Sequence, residues 1–253
     1  MRFVLFIGAL LVSIHQPAFA ESTSIRAYYP DQSENETYHF DSAPRLSKAV
    51  EQVLSEQGHE ISDIYWTGAA LFDLNLGSPE KQDVLLAIKH ATKNSKESER
   101  ASWTELGSMV QNMHFAHRVF IPLDPDLTRI SPSDNPLLTG NWQITLPTVP
   151  HSITVLGNVS HPGKYTWQHR ASASFYLDEA GRLQPDISDV WVIQPDGNTD
   201  KHPVAYWNFQ FSEVAPGAII YVPFKHTGSL FTVDTNSVDV NLLIVDLLRN
   251  KLP

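Results

Sequence analysis

The sequence contains no cysteine. That excludes a disulfide framework, a thiolate zinc site, a cysteine nucleophile and a lipid-anchored N-terminal cysteine. Cations are also scarce: 18 Lys and Arg stand against 28 Asp and Glu, for a formal net charge of −10. Nucleic-acid binding needs a cationic footprint on phosphates, and adsorption to anionic lipid needs a polybasic patch, so neither class fits. Past the first twenty residues no uninterrupted apolar run approaches the roughly 18 residues that span a bilayer. The 253 residues are enough for one large or two small domains with cores that need no staple.

What is present begins with a secretory leader over residues 1–20. Arg2 supplies a minimal positive start, Phe3 to Ile14 is apolar but too short to span a membrane, and Ala18-Phe19-Ala20 fits a signal peptidase site. Helix-breaking Pro17 just before that site favours processing over a buried helix. Cleavage after Ala20 removes Arg2 and no acid, leaving 17 basic against 28 acidic residues, or −11. In a bacterium the expected compartment is the periplasm, where a chain without cysteine avoids unwanted oxidation.

Ser24 to Phe40 alternates weakly around the polar stretch Asp31 to Glu36, which predicts two short strands and a turn. Ser42 and Pro44 announce a helix whose Leu46, Ala49, Val50, Val53 and Leu54 form one apolar stripe, with Gly58 as C-cap. A helical hairpin is expected over about 78–117. Val84, Leu85, Ile88 and Ala91 face inward on its first helix, Trp103, Leu106, Val110 and Met113 on its second, and the polar Thr92 to Arg100 forms the turn. Strands follow at Val119 to Leu123, ending in an Asp124-Pro125-Asp126 turn, and at Trp142 to Leu146. The proline-flanked stretch Pro147 to Pro150 marks a boundary.

Beyond it, Ser152 to Val159 and Lys164 to Trp167 flank the turn His161-Pro162-Gly163. A short helix is predicted over Ala173 to Glu179, and strands over Val190 to Ile193 and Ala218 to Val222. The two halves echo one another: hairpin, helix, Pro-Asp turn at Pro125-Asp126 and Pro195-Asp196, then a glycine-led strand ending at Pro147 and Pro223. The expected fold class is α+β, with two similar β-rich domains (21–148 and 149–228), the first carrying the helical insertion. The tail, 235–253, is an amphipathic helix apolar over more than half its circumference, expected to dock on its own body.

The second half carries a recognisable set: Ile153 to Val159 with Gly157, His161-Pro162-Gly163, Tyr165, Tyr176-Leu177, Ala180-Gly181, Val192-Ile193, Pro195-Asp196-Gly197 and Pro216-Gly217 before Tyr221-Val222-Pro223. This resembles the soluble ligand-binding β-grasp domain of outer-membrane polysaccharide export proteins. With the leader, the hairpin, Arg118, Leu123-Asp124-Pro125-Asp126, Asn135-Pro136, Trp207-Asn208 and the terminal helix, the whole mature chain resembles the GfcC/YjbG family of capsule biosynthesis. The resemblance implies two β-grasp-like domains and a non-enzymatic periplasmic accessory factor for capsule or exopolysaccharide assembly and export. Its partners would be the polysaccharide or outer-membrane polysaccharide export proteins, with no cofactor. The sequence departs from the export-channel pattern at Ala180-Gly181-Arg182-Leu183, which lacks a double glycine.

Other chemistry is thin. Ser78-Pro79-Glu80-Lys81 and Ser133-Asp134-Asn135 mimic two penicillin-binding elements, but Lys225-His226-Thr227-Gly228 has one residue too many for the third. His114 and His117 sit at i and i+3 with no third metal ligand evident nearby. Glycoside cleavage needs two carboxylates flanking the bond. Asp124 and Asp126 read instead as an Asx turn, and Asp186 and Asp189 suit loop and capping roles. A polysaccharide-modifying hydrolase or lyase is therefore the second choice. Arg118 stands out as a planar fork for carboxylate or phosphate, against a structural salt bridge to Asp124 or Asp126. Trp191, set between valines, reads as core, and Trp207 with Asn208 as a surface contact. The candidate binding residues are thus Arg118, Asp124, Asp126, Trp207 and Asn208, with no catalytic residue and no metal ligand assigned.

Overall fold

A computed structural model describes residues 22–30, 35–57, 61–77, 80–225 and 239–253. The leader with its cleavage site, the Gly58 cap, Ser78 and the start of the tail at Ser237 lie outside the described residues.

In the first half the chain runs β1 (Thr23–Tyr28), β2 (Glu36–Phe40), α1 (Leu46–Gln57), β3 (Ala70–Asp73), α2 (Lys81–Asn94), α3 (Glu97–Asn112), β4 (His117–Val119), α4 (Pro125–Ile130) and β5 (Asn141–Thr145). The second half runs β6 (Ser152–Gly157), β7 (Gly163–Thr166), α5 (Ala173–Glu179), β8 (Asp189–Ile193), β9 (Thr199–Pro203), β10 (Ile219–Val222) and α6 (Val240–Arg249). Each half builds a mixed five-stranded sheet, ordered β2-β1-β5-β3-β4 and β7-β6-β10-β8-β9. Replacing each strand of the first by its counterpart in the second gives the same order. In both, the first and last strands are parallel neighbours at the centre.

The first sheet buries one face under α1. Ile25, Ala27, Leu71, Ile144 and Leu146 meet the predicted stripe of Leu46, Ala49, Val50, Val53 and Leu54. The helix starts where it does because Asn135 reaches back to it. Its Oδ1 accepts the Ser47 N–H at 2.9 Å and its amide donates to the Ser47 hydroxyl at 3.0 Å, satisfying an N-terminal group from 88 residues away.

The second sheet is buried on both faces. Ile153, Val155, Val190, Val192, Ile220 and Val222 pack with Tyr176 and Leu177 of α5. The alternate residues Leu156, Ile193 and Tyr221 pack under the α2–α3 hairpin and α6. Burial on two faces explains why these strands are continuous apolar runs rather than alternating ones. The hairpin is therefore encoded in the first half but covers the second. Trp103 of α3, 1% exposed, stacks on Phe224 with ring centroids 3.7 Å apart.

The tail helix docks on its own chain, as expected. Asn241, buried near the start of α6, accepts from the Tyr221 hydroxyl at 2.8 Å and the Phe224 N–H at 3.0 Å. At the other end, the Ala116 N–H donates to the Asn250 carbonyl and the Leu252 N–H to the His114 carbonyl, at 3.1 and 2.8 Å. So α6 is a strap from the second sheet to the segment that leads into β4.

Several local expectations change. The strand at Val119 to Leu123 is instead β4, His117–Val119, because the Ile121 N–H turns back onto the Val119 carbonyl at 3.0 Å. Asp124-Pro125-Asp126 keeps its Asx bond, 2.9 Å from the Asp126 N–H to Asp124 Oδ1, but that bond caps α4 with proline in the first turn. The polar stretch Thr92 to Arg100 is mostly helix, with only Ser95 and Lys96 between α2 and α3. His114 and His117 share no helical face, since α3 ends at Asn112. The echo between Pro125-Asp126 and Pro195-Asp196 also fails. The second pair joins β8 to β9, and in the first half that connection is the hairpin itself. Trp191 is half-buried, with the Lys201 ammonium 4.9 Å from its ring centre. Lys81 of the penicillin-binding mimic donates to the Gln111 and Met113 carbonyls at 2.8 and 2.7 Å, tying the hairpin ends together.

Candidate functional site

Arg118 sits in the middle of β4, at the junction of the two halves. Its backbone N–H donates to Asn250 Oδ1 at 3.0 Å, and its Nη2 donates to the Pro195 carbonyl at 2.6 Å. The guanidinium lies 6.0 Å from the Phe72 ring centre and 5.7 Å from that of Phe120. Arg249, at the end of α6, stands 4.3 Å from the Phe120 ring centre and donates through Nε to the Gly197 carbonyl at 2.8 Å. The turn Pro195-Asp196-Gly197 thus plugs into the first half and accepts from both arginines. Gly197 is obligatory there: its φ is +85°, and a Cβ would fall 2.4 Å from a Phe120 ring carbon.

Beside this plug opens a cleft of about 360 Å³ whose walls come from both halves. Phe72, Ile193, Ile219 and Leu248 make its apolar surface, and Arg118, Lys164, Arg249 and Lys251 its charges. Among the described residues no aspartate or glutamate side chain lines it, on a chain of net charge −10. The titration shifts carry the same message. Burial lowers Arg118 to about 10, Asp196 opposes the shift, and the neighbouring Arg249 pushes it down further. Burial likewise lowers Lys251, with Lys164 adding to the effect. Burial is the main cause in both, and a neighbouring cation adds to each shift, with Asp196 partly offsetting it at Arg118. Near neutrality Arg118 remains charged.

The sequence-based candidates do not converge here. Arg118 is at the cleft, but among the described residues neither Asp124 nor Asp126 is its partner, so the expected bridge is absent; the nearby carboxylate is Asp196. Asp126 pairs with Arg129 on the exposed face of α4. Trp207 is 65% exposed on the loop between β9 and β10. Asn208 organises that loop, accepting from the Ala205 N–H at 3.1 Å and donating to the Ser188 carbonyl at 3.1 Å. Neither belongs to the cleft. Lys164, Arg249 and Lys251 were not singled out beforehand. Helical periodicity does not say which distant strand a helix end will meet.

Residues 22–150 match the family described as Capsule biosynthesis GfcC, N-terminal, and residues 161–253 match Capsule biosynthesis GfcC C-terminal. The chain belongs to the capsule biosynthesis GfcC family. It is also similar to the protein named Uncharacterized protein YjbG from Escherichia coli (strain K12), at 29% identity over 251 residues and 98% of each chain. The two GfcC family regions meet at the cleft. Arg118 and Phe72 fall in the N-terminal region, and Lys164, Pro195, Arg249 and Lys251 in the C-terminal one.

Proposed function

We propose that this GfcC-family chain is a non-enzymatic periplasmic accessory factor for capsule or exopolysaccharide assembly and export, and that it holds an acidic group of the polymer in the cleft at Arg118. The observation that carries this reading is the cleft's charge: among the described residues, four cations and no acidic side chain line it on a strongly acidic protein. An acidic surface repels an acidic polymer everywhere else, so contact is confined to such a local spot. Among the described residues the lining also lacks histidine. No aspartate or glutamate side chain among the described residues lines it either, so no such side chain stands as general acid or base against a group held at Arg118, which favours binding over cleavage there. Each half opens on a hairpin, passes to a helix and pairs its first and last strands in parallel, an order compatible with the β-grasp reading. That supports kinship with the domains of polysaccharide export proteins, the partners this reading names.

Deleting the gene in an encapsulated host should reduce the polymer exported or attached at the surface, measured by quantifying cell-bound and released polysaccharide. Complementation with the wild-type chain should restore it. Lys164→Glu should fail to restore it while accumulating normally, because Lys164 lines the cleft, is exposed, and its strand pairing runs through the backbone. Unchanged polymer after deletion would sink the pathway assignment. Full complementation by Lys164→Glu would sink the cleft.

A further inference from the structure

A second depression of about 380 Å³ adjoins the first, lined in part by Trp66, Thr67, Phe120, Asp124, Asp196 and Asn198. Phe120 lines the second but not the first, and joins the two through its ring. It stands on the rim of the second and carries the two arginines of the first against its ring. The chemistry differs sharply across it. Among the described residues no lysine or arginine lines the second depression, and two carboxylates do.

From this contrast we infer that the second depression is a subsite for an uncharged pyranose, adjoining the residue whose acidic group sits at Arg118. This deepens the reading of the cleft as a polymer site and rests on it. Four observations favour a neutral sugar. The size lies within the range of small-ligand pockets, roughly 300–1,000 Å³. Trp66 is half-buried and its indole is fixed by a 3.1 Å hydrogen bond from Nε1 to the Ile61 carbonyl. Its ring is therefore a rigid, electron-rich face for the polarised C–H groups on the flat side of a pyranose. The polar groups are acceptors and amides held in place. Asp196 Oδ1 accepts the Asn198 N–H at 2.9 Å and Oδ2 accepts from its side-chain amide at 2.6 Å; Asp124 Oδ1 accepts the Asp126 N–H. Carboxylates anchored in this way accept hydrogen bonds from sugar hydroxyls and repel an anion. Nor is the set a metal shell: among the described residues no three His, Asp or Glu side chains gather to hold an ion.

The test compares three probes by calorimetric titration: glucuronic acid, the disaccharide glucuronosyl-glucose and neutral cellobiose. The disaccharide should bind about tenfold more tightly than glucuronic acid, a difference of about 1.4 kcal/mol. Trp66→Leu, which keeps an apolar body in the wall, should abolish that advantage and leave glucuronic acid binding unchanged. Leu127→Arg should do the same, since Leu127 is 48% exposed at the edge of the depression and its replacement fills it. If the disaccharide gains nothing, or keeps its gain in both variants, the subsite is overturned while the cleft stands. If glucuronic acid fails to bind but cellobiose binds and is lost in both variants, the cleft reading falls and the sugar subsite survives. If none of the three binds, both fall.

Discussion

A chain ending at Asn236 should lose its cooperative unfolding transition and accumulate as insoluble protein. The truncation removes Val240, Ile244, Val245, Leu247 and Leu248, each at most 3% exposed. Burying such a side chain contributes about 1.5–3 kcal/mol, so together they approach the 5–15 kcal/mol or so that stabilises a whole domain. The loss does not end with the helix. Without α6, one side of the second sheet's outer core opens to water, and Tyr221 loses the Asn241 acceptor for its buried hydroxyl. The segment before β4 also loses its pairing with Asn250 and Leu252. Circular dichroism and thermal unfolding of the truncated chain give the answer. A soluble product with an unchanged transition would show that the tail is dispensable and free to engage a partner.

Trp103→Ala should produce the largest loss from a single substitution. The indole is almost wholly buried and stacked on Phe224. Truncating a buried tryptophan costs about 3–5 kcal/mol through lost transfer energy and the cavity left behind. For a protein this size that lowers the melting temperature by on the order of 10 °C. Trp103→Phe should cost much less, because a ring remains to stack. A drop of only a degree or two for Trp103→Ala would mean that the hairpin rests loosely on the second sheet, and that the cleft between the halves is not held at fixed width.

How much of this was legible beforehand depended on the range of the interactions. The stripe of α1, the two hairpin helices, α5 and the strands β6, β7, β8 and β10 were readable because helix and strand periodicity are local properties. β3 was missed: Ala70 to Asp73 is four residues long and becomes a strand only through β4 and β5, some 44 and more residues further on. β9 was missed because Thr199 to Pro203 is polar, and only its Val190–His202 neighbourhood is buried. Asp124-Pro125-Asp126 was chemically well read, as an Asx bond, yet wrongly placed, since the same bond starts a helix as readily as a turn.

The candidate site divides in the same way. Arg118 was identifiable as a rare cation at the hand-over from helix to strand. Its true neighbours come from the β8–β9 turn and the end of α6, about 77 and 131 positions away, and no spacing rule predicts that. The exposed aromatic at Trp207 drew attention for its residue type alone. Its loop is tied down by Asn208 but contributes nothing to either depression.

Titration of oligosaccharides cut from the host's own acidic capsule polymer tests the central claim most directly. The wild-type chain should bind them with an affinity that weakens as salt is raised, since the contact is between charges. Lys164→Glu should bind at least about tenfold more weakly, a loss of 1.4 kcal/mol or more. Arg118→Ala should not bind measurably, while remaining folded at the titration temperature. Equal binding by all three chains, or binding that is indifferent to salt, would contradict the account and move the polymer contact away from the cleft.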